Sequence, residues 1–137
     1  MSVNLNQIGQ IALPVSNVDH SEAFYEKTLG LRKLYRFDDL SFFDCAGVRL
    51  LINKVEGGGE VKPQGCIYFR CADIALTMDE LRSRGVAFTS GPELIAKMDD
   101  HDLWMAFITD PDGHTLAVMQ EAPKGYAPPA AKVHGSR

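Results

Sequence analysis

The stretch Asp110-Pro-Asp-Gly-His-Thr-Leu-Ala-Val-Met119 is a turn that delivers the chain into a strand. Pro111 presets one turn dihedral, Asp110 is placed to cap its own backbone, and Gly113 accepts a positive φ that other residues resist. On either side run Leu103 to Thr109 and Thr115 to Met119, both apolar and rich enough in aromatic or branched residues to pair as a hairpin. A lone hairpin is marginal in water, so this one requires a partner surface.

That surface is sought upstream. Cys66 to Cys71 reads as a strand, and Asp73 as the N-cap of a helix with Ile74, Met78 and Leu81 on one side and Gly85 at its end. Val86 to Thr89 opens another strand, which Leu94 to Met98 continues past the Gly91-Pro92 break. The first half has the same order. Ile8 to Val15 is a strand whose greasier set, Ile11, Leu13 and Val15, turns inward and leaves Gln10 on the other side. Asp19 is placed as a helix N-cap with Glu22 three residues on, Ala23, Phe24 and Leu29 form the apolar side, and Gly30 sits at the end. Leu31 to Phe37, Leu40 to Asp44 and Arg49 to Asn53 read as three short strands, the last two joined at Ala46-Gly47.

The halves superpose by offset. Gln10 recurs at Cys66 and Gly30 at Gly85, offsets of 56 and 55, while Gly47 recurs at Gly113, an offset of 66 that carries Leu51 onto Ala117. The larger offset means an insertion in the second half, between Thr89 and Asp102. The expected fold is therefore α+β, two tandem βαβββ modules over residues 7–55 and 64–121 within one domain, 1–121. The glycine-rich bend from Glu56 to Glu60, with Pro63 and Gly65 behind it, reads as the link between them. Residues 122–137, rich in Pro and Ala, read as a flexible tail.

Composition narrows the function. A chain of 137 residues with 45% apolar content suits one ordinary soluble domain. A net charge of -4 argues against nucleic-acid binding, which needs a clustered basic face. The absence of a long apolar span and of a signal-type segment gives the expectation of a cytosolic protein without membrane association. The three cysteines, Cys45, Cys66 and Cys71, are odd in number and irregular in spacing, which favours free thiols over a disulfide framework. The Glu56 to Glu60 bend lacks the Lys and helix start of a phosphate-cradling loop.

Three pieces in this order, IALPVSNVDHSEAFYEKTLGL, CIYFRCADIALTMDELRSRGV and DPDGHTLAVM, resemble the vicinal oxygen chelate superfamily of glyoxalases, bleomycin-resistance proteins and extradiol dioxygenases. The resemblance covers Ile8 to Glu121. It implies mixed sheets curled around a cleft, commonly in a homodimer, with a divalent metal in the metal-using members. Those members take His, Gln or Glu ligands at four strand positions, which here are Gln10, Leu51, Cys66 and Ala117. Leu51 and Ala117 carry no donor atom, and Cys66 would ligate only as a soft thiolate. Two donors fall short of a catalytic zinc site, which normally has three protein ligands and a water.

The expectation is thus a metal-free cleft lined by Gln10, Leu51, Cys66, Trp104 and Ala117 that binds a small organic ligand. A metal-dependent lyase, isomerase or epimerase, with one divalent ion, is the alternative, and a structural module without a ligand is a third reading. For the enzyme, His101 with Asp100 supplies candidate catalytic groups, Asp holding the His tautomer; as a bland alternative the run Asp99 to Asp102 is a solvated hairpin tip. His20 and His114 read as surface residues. Arg49 and Arg70 fall on strands, where either is able to pair a substrate carboxylate or simply to lie on an exposed sheet face.

Overall fold

Alternation of apolar and polar side chains decides which face of each strand is covered, and in both halves the covered face is the one that meets a helix. The computed structural model describes residues 3–63 and 65–129. The chain divides between Lys62 and Pro63 into two units with the same element order.

The first unit holds β1 (Gln10–Val15), α1 (Val18–Ala23) continuing as one π-helical turn (Phe24–Thr28), β2 (Arg32–Phe37), β3 (Leu40–Cys45) and β4 (Val48–Lys54). Its sheet runs β1-β4-β3-β2, with β1 parallel to β4 and the other pairs antiparallel. Leu13, Val15, Phe43, Leu50 and Ile52 are buried with Val18 and Tyr25 of the helical segment. The rings of Tyr25 and Phe43 lie 6.2 Å apart.

This helix differs from its sequence reading. The N-cap is Asn17, whose Oδ1 accepts from the His20 amide at 3.0 Å, while Asp19 lies within the first turn and pairs with Arg36 at 2.9 Å. Its buried side is Val18, Ser21 and Tyr25 rather than Ala23, Phe24 and Leu29. Val18, Ser21 and Tyr25 follow the ordinary helical spacing from the Asn17 cap, and beyond them a wide turn, in which the Leu29 amide donates to the Phe24 carbonyl at 2.9 Å, five residues back, shifts Leu29 off that face.

The second unit holds β5 (Cys66–Arg70), α2 (Ile74–Ser83), β6 (Ser90–Lys97), β7 (Asp102–Thr109) and β8 (Thr115–Ala122), ordered β5-β8-β7-β6. Here β5 is parallel to β8. Asp73 caps α2 as expected, accepting from the Leu76 amide at 3.1 Å, and Ile74, Met78 and Leu81 are its buried side. The buried Gln120 of β8 accepts from the Ile74 amide at 2.9 Å and ties the helix start to the sheet.

The turn read first from the sequence is closed by Asp110, whose Oδ1 accepts from the Asp112 and His114 amides, each at 2.9 Å. Gly113 takes a φ of +88°. The flanking strands pair from Asp102↔Ala122 to Thr109↔Thr115. His114 is buried rather than at the surface, because Asp110 bonds its backbone from both sides and draws it back under the turn. The insertion appears as eight-residue strands β6 and β7 against six-residue β2 and β3. The strand expected at Val86 to Thr89 starts instead at Ser90, and the Thr89 amide donates to the Phe107 carbonyl at 2.8 Å.

The expected tail, 122–137, falls into three parts. Ala122 closes β8; the next residues are fastened by Asp102, which accepts from Lys124 Nζ at 3.1 Å and the Gly125 amide at 3.0 Å; residues 130–137 lie outside the described residues.

Candidate functional site

Each sheet leaves one face turned away from its helix, and register fixes what that face carries. In the first unit Gln10 stands beside Arg49, and Ala12 beside Leu51. Across β3 and β2, Arg49 is followed by Asp44 and Arg32, and Leu51 by Phe42 and Tyr35. Tyr35 stacks on Phe42 with ring centroids 4.6 Å apart, the Arg49 guanidinium lies 6.0 Å from the Phe42 centroid, and Arg49 Nη1 donates to the Tyr35 hydroxyl at 3.3 Å. Gln10 and Leu51 therefore share a face, as the resemblance implied, together with the Phe42 and Tyr35 rings and the Arg49 guanidinium.

In the second unit the corresponding face carries Cys66 beside Thr115, and Tyr68 beside Ala117 and Phe107. The Tyr68 and Phe107 rings meet edge to face at 6.4 Å. They stand on the two strands that flank Ala117, so their meeting roofs over its methyl group, which is fully buried. A hydrogen bond to Cys66 is the main cause that holds the Tyr68 phenol above its ordinary pKa.

Trp104 does not join this face. Its register partners are Leu94 and Gln120, and it is buried on the α2 side with Ala106 and Ile108. Phe107 is three positions further along, an odd offset, and strand alternation therefore puts the two rings on opposite faces. The aromatic residue that the sequence assigned to the cleft is thus a core residue; Phe107 takes the place beside Ala117.

His101 and Asp100 form a pair, Nδ1 to Oδ1 at 2.8 Å, in the turn between β6 and β7. The hydrogen bond from His101 is the main cause that lowers the Asp100 pKa. Phe107 lies six positions beyond His101 along β7, roughly 20 Å at 3.3 Å per residue. The structure therefore does not bring His101 and Asp100 together with Cys66 and Ala117.

A family model for the Glyoxalase/Bleomycin resistance protein/Dioxygenase superfamily matches this chain over residues 7–118. The chain belongs to this superfamily. Among similar proteins, metallothiol transferase FosB of Lysinibacillus sphaericus is 26% identical over 121 residues, covering 82% of this chain and 80% of that protein. A glyoxalase/bleomycin resistance protein/dioxygenase from Nocardioides has a similar structure, with a TM-score of 0.70 at 20% identity over 93% of this chain and 90% of the other. Lactoylglutathione lyase from Agrobacterium tumefaciens gives a TM-score of 0.68 at 19% identity, over 90% of this chain and all of the other. At these identities the structural likenesses show the fold.

Within the superfamily's frame, the four positions that the resemblance gives to metal ligands fall two on each unit. Gln10 and Leu51 lie in the first, Cys66 and Ala117 in the second. Among the described residues, no group of three or more His, Cys, Asp or Glu side chains is placed to hold a metal ion. The cysteines described are free thiols. Sequence reading missed Tyr35 and Tyr68 as members of these faces; their two-residue spacing from Phe37 and Cys66 was the available signal, and the bulge between Lys33 and Tyr35 obscured the first.

Proposed function

We propose that this chain binds a small organic ligand on the helix-free faces of its sheets, without the divalent metal used by part of the superfamily. The donor set carries the reading. Leu51 and Ala117 offer hydrocarbon where ligand atoms are needed, and Gln10 and Cys66 supply two donors where a catalytic zinc normally takes three. In the second unit, Tyr68 and Phe107 close over the Ala117 methyl, where a ligating side chain would stand. The remaining groups, stacked rings beside an amide, a guanidinium and a thiol, are the kind that line small-molecule sites. The reading includes a homodimer and a cytosolic location; among the described residues no helix is long and apolar enough to cross a membrane.

A second reading, a metal-dependent transferase, lyase or isomerase, is favoured by one observation, the 26% identity to a metallothiol transferase. Gln10 and Cys66 would be the residues that such a metal retained. Elemental analysis of protein purified without chelator or polyhistidine tag, followed by thermal shifts with divalent ions, separates the two. The proposal expects substoichiometric metal and no rise in melting temperature; a stoichiometric metal with a clear rise supports the enzyme.

A further inference from the structure

Among the described residues, Arg49 is the arginine that the fold leaves without an acid. Among the described residues, Arg32 pairs with Asp44, Arg36 with Asp19 and Glu22, Arg70 with Glu121, Arg82 with Asp79 and Arg84 with Glu80, whereas Arg49 has no carboxylate within 4.0 Å. Its own cross-strand partner, Asp44, is engaged elsewhere, accepting from the Gly47 amide at 3.1 Å and lying 3.7 Å from Arg32. Two guanidinium groups and one carboxylate on this row leave a net positive charge.

The guanidinium is nonetheless held in place. Phe42 lies beneath it, Tyr35 stacks on Phe42, and the Tyr35 oxygen accepts from Nη1 at 3.3 Å. A phenol that accepts this bond keeps its own proton to donate. Arg49 and Tyr35 thus present several donors to one anionic group, with the Gln10 amide on the neighbouring strand and Ala12 and Leu51 as an apolar floor one row away. A planar guanidinium with free N–H groups matches a carboxylate in a bidentate fork.

We infer that the ligand of this face is a small carboxylic acid with an apolar or aromatic body, its carboxylate taken by Arg49 and Tyr35 and its body laid over Leu51 and Ala12. This rests on the reading of the face as a ligand surface and names the class of ligand. The charged end sets the orientation, and the apolar end supplies area removed from water.

The test uses the full chain with 3-phenylpropionate and its neutral isostere 3-phenylpropionamide as probes, followed by NMR of backbone amides and of the arginine Nε–Hε groups. The acid is expected to shift the Arg49 Nε–Hε signal and to bind roughly ten-fold or more tightly than the amide, the range of a charge-assisted hydrogen bond. Arg49→Gln should erase that preference, Arg49→Lys should restore part of it, and Tyr35→Phe should weaken the acid while leaving the amide unchanged. Equal binding of acid and amide, or no acid-dependent shift at Arg49 up to the solubility limit, overturns the inference. Acid binding that Arg49→Gln leaves intact also overturns it, while keeping small-molecule binding by the chain.

Discussion

Gln10 and Arg49 are neighbours in the parallel pairing of β1 and β4, so one amide and one unpaired guanidinium share the face that the first helix leaves open. Both are exposed, and neither contributes to the core beneath. Strand alternation keeps the two roles apart: Leu50 and Ile52, the residues on either side of Leu51, are buried with the helix. Changes at Gln10 or Arg49 are therefore expected to alter binding with little loss of stability, whereas the following substitutions probe the scaffold.

Gly91 sits where β6 passes close to β7. Its φ is +103°, and a Cβ there would stand 2.5 Å from the Ala106 Cα. Gly91→Ala is expected to cost about 2–4 kcal/mol, summing backbone strain and overpacking against a neighbour that cannot move aside. Gly47→Ala, at a φ of +95° but with nothing within 4 Å, should cost only about 1–2 kcal/mol. Urea denaturation of both variants measures the difference, and equal costs would refute the close approach.

Glu22 is a pH sensor of the first unit. Burial pushes its pKa up, but the hydrogen bond from Ser41 at 2.7 Å and the charges of Lys33 and Arg36 outweigh it, and the net shift is downward. A carboxylate with a lowered folded-state pKa contributes stability that is fully present above the ordinary glutamate value of 4.5 and is lost as pH falls through the lower folded value. Melting temperature measured from pH 6 down to about pH 3 should fall less steeply for Glu22→Gln than for the parent chain. Parallel profiles would show that this carboxylate is uncoupled from folding.

Asp102 fastens the segment after β8. Its carboxylate pKa is lowered, first by the Gly125 amide and then by Lys124, so the clasp holds at neutral pH and loosens only in acid. Asp102→Ala is expected to speed amide hydrogen exchange in residues 123–129 while β7 and β8 keep their protection, as mass spectrometry of peptides would show. Unchanged exchange there would mean that the clasp does not hold the segment.

The fold was legible in the sequence because its signals are local. The Asp110 turn, the Asp73 cap and the Gly30 and Gly85 ends each follow from one or two side chains, and the offset between Gln10 and Cys66 revealed the repeat. The first helix was misread because Asn17 and Asp19 are both good caps, and nothing in the sequence announces a wide turn at Phe24. The candidate site was less legible. A one-position parity error is invisible along a strand, yet it moved Trp104 from the helix-free face to the core and left Phe107 beside Ala117. His101 is near the strand in sequence but lies at its far end in space.

The central claim is that the superfamily's metal quartet is not functional in this chain. Calorimetric titration of the metal-stripped protein with zinc, manganese and nickel tests it most directly. The account predicts no stoichiometric site with any of the three ions. One tight site per chain that Gln10→Ala abolishes would contradict it and return the chain to the metal-dependent enzymes.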